Sequence, residues 1–342
     1  MNIFAHHSPF RIFGISGFIT VAVLAAVLFG LGLSAALVTL VLVVVEVSFS
    51  FDNAIINAKV LARLSEKWQK LFLTAGIVVA VIGMRVVFPI LIVALTAHLS
   101  WSNVTDLALH HPKEYAEKLE LAHPSIAAFG GAFLLVLALQ FFFDDNRKVF
   151  WIHRLERPMA KIGKFWVPGA ITIALVLLLA AIPDNAHRIN TLVAGLLGVG
   201  TYIVIQLILL PLENAQAKTK ASRAGLVGWA AVSTLLYLEV LDASFSFDGV
   251  IGAFAITNDV LLIAAGLGVG AIWVRSLTVF MVRRKTLDNY IYLEHGAHYT
   301  VGVLAILFFI SLFVQVPDVV AGTLGLALIG ASLLASKKTS TA

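Results

Sequence analysis

The sequence predicts an all-α polytopic membrane protein, with about ten transmembrane helices in two inverted-topology repeats. Three observations carry that prediction. The 342 residues are 60% hydrophobic and 13% charged, with a mean hydropathy of +0.97, a balance outside the range of soluble domains. The pentapeptide Ser-Phe-Ser-Phe-Asp occurs twice, at Ser48–Asp52 and Ser244–Asp248, each time inside a long apolar run. Lys and Arg collect in alternate short loops.

Taken in order, residues 12 to 33 form a first apolar span of about the 20 residues that a bilayer needs. The run is too long for a signal-peptide core, and no secreted domain follows it. Residues 35 to 60 form span 2 and carry the first acidic motif; 70 to 97 form span 3, with Arg85 inside it. A polar loop at 98 to 123 holds His98, His110, His111 and His123 beside Asp106, Glu114, Glu117 and Glu120. Span 4 runs from 125 to 143 and ends at Asp144-Asp145. The stretch 146 to 165, with Arg147, Lys148, Arg154, Arg157, Lys161 and Lys164, reads as a basic cytoplasmic loop or interfacial helix. Spans 5 and 6 cover 166 to 183 and 189 to 211. Span 7, at 225 to 256, carries the second motif, and span 8, at 259 to 282, contains Arg275. Spans 9 and 10 cover 296 to 315 and 318 to 335.

The charges test that count. Lys and Arg accumulate in cytoplasmic loops, and with both termini cytoplasmic the inner side receives 19 of them. The outer side receives three: Lys113, Lys118 and Arg188. Arg85 and Arg275 remain inside spans. Spans 2 and 7 then run in opposite directions, so residues 1–183 and 184–342 read as inverted repeats meeting at a midplane site. Gly76 precedes Arg85 by the same interval as Gly266 precedes Arg275.

Each motif has its own polar geometry. An ionisable residue at the centre of a bilayer costs about 2.5–3.5 kcal/mol on insertion scales, so it persists where it lines a pathway or pairs. Residues four and seven apart share a helix face, which groups Glu46, Ser50 and Asn53, with Ser48 and Asp52 on a second stripe. In the other half Glu239, Asp242, Ser246 and Gly249 form the longer stripe and Ser244 with Asp248 the shorter. Glu239 has no acidic counterpart in the first repeat, where Val43 stands. Polar and apolar residues alternate strictly through the pentapeptide, which is a strand period. A locally unwound stretch facing a cavity would accommodate it.

Five carboxylates, Glu46, Asp52, Glu239, Asp242 and Asp248, against two arginines leave an anionic cluster that calls for a cation. With no cysteine in the chain, thiolate metal sites are excluded. Carboxylate, amide and hydroxyl oxygens from Glu46, Ser50, Asp52, Asn53, Glu239, Asp242, Ser246 and Asp248 suit Mn²⁺, Ca²⁺ or Mg²⁺. Crowded carboxylates also take up protons readily, the chemistry of a proton-coupled antiporter. Arg85 and Arg275 are the charge-compensating groups, able to take over the carboxylates when the ion leaves. The plainer readings are that the acids serve only as structural partners of the arginines, and that the loop histidines are a solvated outer surface. Glu294, His295 and His298 read as an interfacial turn, with His298 able to reach a vestibule, and the glycines as close helix packing.

The segment Glu46 to Asn53 resembles the acidic motif of the TerC family of integral membrane proteins, and Asp242 to Gly249 resembles that family's second motif. Tyr292-Leu293-Glu294-His295-Gly296 is similar to the start of one of its late helices. The resemblance implies the LysE-like transporter superfamily and divalent metal export, chiefly of manganese. It assigns the metal role to Glu46, Asp52, Asn53, Asp242 and Asp248.

The expectation is therefore a multi-pass protein of the inner or plasma membrane, no enzyme, that exports a divalent cation against protons. Mn²⁺ is the foremost substrate and Ca²⁺ its first competitor. A second class is a non-transporting membrane partner protein whose acidic cluster is a structural or regulatory ion site. An intramembrane hydrolase would need a His-rich ligand set that the spans lack. The bilayer and the ion are the expected partners, self-association is left open, and no nucleic acid is expected because the basic residues are dispersed in short loops.

Overall fold

The computed structural model describes the backbone of residues 9–217 and 225–340. The side chains at 10, 11, 210–217, 246–248, 251, 255, 318 and 338–340 lie outside that description, as do the loop cations Lys218, Lys220 and Arg223. The helices are α1 (Pro9–Leu31), α2 (Leu33–Phe49), α3 (Phe51–Leu61), α4 (Glu66–Val78), a π-helical stretch (Val79–Val87), α5 (Phe88–Thr96), α6 (Trp101–His110), α7 (Pro112–Phe142) and α8 (His153–Ile162). They continue with α9 (Trp166–Ala181), α10 (Arg188–Ala217), α11 (Gly228–Ile256), α12 (Val260–Arg284), the single turn α13 (Thr286–Asn289), α14 (Leu293–Ile310) and α15 (Asp318–Ser340). Among the described residues the one β feature is a parallel bridge between Leu64 and Leu226.

The protein is an all-α membrane protein. Among the described residues seven helices are long and apolar enough to cross a bilayer, rising to nine if the bent pairs α2–α3 and α8–α9 each count as one. Helix α11, with three acids in its sequence, stands outside that count. α4, the π-helical stretch and α5 form one continuous span, Glu66–Thr96. Helices dominate because hydrocarbon offers backbone groups no partner but their own chain.

One departure from the sequence reading is local. The polar region 98–123 is largely helical: Ser100 caps α6 by accepting from the backbone N–H of Asn103, and Val104 and Ala108 are buried. Tyr115, Leu119 and Ala122 then bury one face of α7 at helical spacing. By contrast, α8 falls within the stretch 146–165 for which the sequence allowed a helix, and it bends 105° from α9. Its charged residues Arg154, Arg157 and Lys161 keep it outside the apolar span, which begins at Trp166.

The chain forms two compact units, residues 1–122 with 220–286 and residues 123–219 with 287–342. In the first, α12 packs on α1, α2 and α3. Glycines on α12 let the backbones approach: a Cβ at Gly266 would come within 2.5 Å of Leu42 Cβ, and one at Gly270 within 2.5 Å of Glu46 Cβ and Cγ. These two, four residues apart, form the small-residue face that lets membrane helices touch. Ser16 and Ser276 share a buried hydrogen bond of 2.7 Å, and Trp273 Nε1 donates to Thr20 Oγ1 at 2.8 Å.

In the second unit α9 packs on α10 and α14 on α15. Its polar centre is Glu156 of α8, which is fully buried. Arg147 Nη2 donates to Glu156 at 2.6 Å, the backbone N–H groups of Trp151 and Ile152 donate at 3.2 and 3.1 Å, and Tyr299 Oη donates at 3.1 Å. Burial alone would raise this carboxyl; His295, the Ile152 N–H and Arg147 outweigh it and lower its pKa to about 2. His295 and His298, expected as an interfacial turn, are instead buried here. His295 Nε2 lies 3.0 Å from the Val149 carbonyl and 3.4 Å from Glu156, while His298 stacks on Phe141 at 3.9 Å.

Candidate functional site: a buried ionic cluster

The cluster lies wholly within the first unit. α2, apolar from Leu33 to Val45 apart from Ser34 and Thr39, runs to Phe49 and stops at Ser50, whose φ of −98° and ψ of 18° leave the helical range. α3 restarts at Phe51 with a 55° change of direction. The break leaves Asp52 in the first turn of α3, where the helix dipole favours a negative group. The second copy of the pentapeptide behaves differently, since the α11 backbone is one helix from Gly228 to Ile256.

Glu46, 4% exposed, ends α2 against Arg85, also 4% exposed, and the two form an ion pair. Ser50 Oγ donates to Glu46 Oε1 at 3.2 Å. Arg85 belongs to the π-helical stretch, a backbone form that concentrates at functional sites. The other arginine is held more fully. Arg275 Nη2 donates to both Glu239 oxygens at 3.0 and 2.9 Å and stands 3.6 Å from Asp242 Oδ2. Its Nη1 donates to the Phe72 carbonyl at 3.2 Å, and its guanidinium covers the Phe72 ring at 4.3 Å. Gly76 packs against this guanidinium and leaves no room for a side chain.

Asn53 joins the two motif helices: its Nδ2 donates to Asp242 Oδ1 at 2.8 Å. Glu239, the acid without a counterpart, thus accepts from Arg275 Nη2 with both oxygens, while Asp242 accepts from Asn53 with one. Asp52, 4% exposed, has no arginine partner among the described residues. The Ser246 and Asp248 side chains lie outside the described residues. Among those described, no three Asp, Glu or His side chains are grouped to hold a metal.

Sequence reasoning passed over three contributors. Phe72 is the platform of Arg275, Gly270 is the opening through which α12 meets Glu46, and Asn57 is a buried amide one turn beyond Asn53. The four-residue interval from Asn53 to Asn57 was the available signal.

The loop acids and histidines stay apart from this cluster. His110 pairs with Asp106 at 2.8 Å on the exposed face of α6, while Lys113, Glu117, Glu120, Phe254 and Asn258 line an open cavity of about 440 Å³.

Fold and site together define an all-α membrane protein with a buried, arginine-compensated acidic centre. Residues 51–341 match a family described as a protein of unknown function, DUF475, and the chain belongs to that family. No curated protein and no solved structure matches it.

Proposed function

We propose that this protein is a divalent cation transporter, with Mn²⁺ as its foremost substrate, exporting the ion against protons through the cluster around Glu46, Asp52, Asn53, Glu239 and Asp242. The carrying observation is that three buried acids, Glu46, Asp52 and Asp242, and the partly buried Glu239 stand against only two arginines inside apolar helices, at a point where one motif helix is broken. Broken spans at a polar centre are how membrane transporters present backbone and side-chain oxygens to an ion. Arg85 and Arg275 supply counter-charge for Glu46, Glu239 and Asp242. Asp52 is the acid left for the cargo, and Asp248 and Ser246 are its proposed counterparts from α11.

Ten spans in two inverted repeats fit this reading. The first unit combines spans 1 to 3 with 7 and 8, the second spans 4 to 6 with 9 and 10, so each unit draws repeat-related helices from both halves. The positive-inside distribution supports an inner or plasma membrane location with both termini cytoplasmic. The TerC-like motifs favour manganese; Ca²⁺ is the competing cargo, since the donors are all oxygen.

A second reading is favoured by one feature: three of the four described acids are already paired with arginine, as in a purely structural ionic core. In that case the protein is a membrane partner protein and moves no ion. Purified protein in liposomes separates the two. A transporter carries Mn²⁺ or Ca²⁺ across the vesicle membrane without other proteins, whereas binding without flux removes the transport reading.

A further inference from the structure

Asn57 is the buried polar side chain of the first motif helix that the arginine pairs leave unexplained. It is 3% exposed, and its amide oxygen accepts no hydrogen bond among the described residues. One turn earlier Asn53, 2% exposed, is in the same condition: its nitrogen is committed to Asp242, and its oxygen accepts nothing among the described residues. Among the described residues Asp242 Oδ2 also accepts no hydrogen bond, with Arg275 Nη2 at 3.6 Å.

A buried acceptor left idle is unfavourable, and here two of them lie one turn apart on α3, the helix that follows the break at Ser50. Side chains four residues apart on one helix face can converge on a single metal ion. Amide oxygens are accepted ligands of hard divalent cations.

The geometry points to Asn53 and Asn57 as a pair of neutral oxygen ligands for the transported divalent cation, with Asn57 a selectivity determinant of the site. The inference rests on the transport reading and deepens it. Neutral oxygens add coordination without adding charge that protons or arginines must balance when the ion leaves. The pair is confined to the first motif, because the matching positions of the second are Gly249 and Ala253. The ion is therefore held asymmetrically, on the α3 side.

The test is Mn²⁺ binding to the purified full-length protein in detergent, followed by the electron paramagnetic resonance of free Mn²⁺, with melting temperature measured in parallel. Asn57→Leu is expected to weaken Mn²⁺ binding by about tenfold or more, the loss of one ligand, with an unchanged or raised melting temperature because an idle acceptor has been removed. Asn57→Asp retains binding. Should Asn57→Leu not fold, Asn57→Ala carries the same comparison. Wild-type binding by the folded Asn57 variant alongside lost binding in Asp52→Asn would overturn the Asn57 assignment and leave the transport reading standing. Undiminished binding in Asp52→Asn, or none in wild type, would remove that reading and this inference with it.

Discussion

Removing the Arg85 guanidinium is the sharpest perturbation of the cluster. Arg85 and Glu46 are each 4% exposed, so Arg85→Met leaves a carboxylate buried and uncompensated, apart from the Ser50 hydroxyl that donates to it. Breaking a buried pair from one side costs about 3–5 kcal/mol, whereas replacing both partners by groups of similar volume is near neutral or stabilising. Arg85→Met and Glu46→Gln are each expected to lower stability by about 3–5 kcal/mol. The double variant should cost no more than either single variant, a coupling of at least about 3 kcal/mol. The assay is reversible unfolding of the detergent-solubilised protein by denaturant titration. The Arg283–Glu66 pair, at 3.6 Å with Glu66 74% exposed, is the internal control, and its cycle should give less than about 1 kcal/mol. Additive losses at Glu46 and Arg85, or a coupling no larger than the control, would refute the claim that the arginine compensates a buried charge.

Three further outcomes follow from the packing. Gly270→Ala places a Cβ within 2.5 Å of Glu46 Cβ and Cγ, an overpacking expected to cost about 1–3 kcal/mol and, by displacing Glu46, to weaken Mn²⁺ binding measured on the purified protein. Gly225 has a φ of +85°, and a Cβ there would lie 2.7 Å from the Ser65 nitrogen. Gly225→Ala should therefore open the Leu64–Leu226 bridge, in which Leu226 N–H donates to the Arg63 carbonyl at 2.8 Å, and speed hydrogen exchange at Ser65 and Leu226. Glu156 has a folded-state pKa below its ordinary value of 4.5, at about 2. Its stabilisation is thus fully present above pH 4.5 and is lost as pH falls from there through about 2. Acid titration of wild type against Glu156→Gln should show the wild-type advantage shrinking across that window.

How much of this was legible in the sequence follows from the physics of each element. Spans were readable because a helix in hydrocarbon must be apolar over a fixed length, and the residues of the ionic cluster were readable because acids inside such runs are costly. Their pairing was less so. Glu239 appeared as a surplus acid, but Arg275 Nη2 donates to both its oxygens while Asp242 turns to Asn53. The strand-like alternation of the duplicated pentapeptide pointed to a locally unwound stretch, which the first copy has at Ser50, but gave no sign that α11 runs on unbroken through the second. An identical five-residue string receives its backbone geometry from its neighbours, and glycines of α12 press on α2 and its terminal Glu46. His295 and His298 were misread because their partners, Phe141, Val149 and Glu156, lie some 140 residues away in the chain, beyond the reach of periodicity. The helix at 101–110 was hidden because it buries only Val104 and Ala108, too narrow an apolar face for periodicity to register.

The most direct test of the central claim is simultaneous recording of Mn²⁺ uptake and internal pH in proteoliposomes holding wild type or Asp52→Asn. The account predicts Mn²⁺ movement with opposing proton movement in wild type and neither in the variant. Equal Mn²⁺ flux in both, or tight Mn²⁺ binding by wild type with no flux, would contradict it.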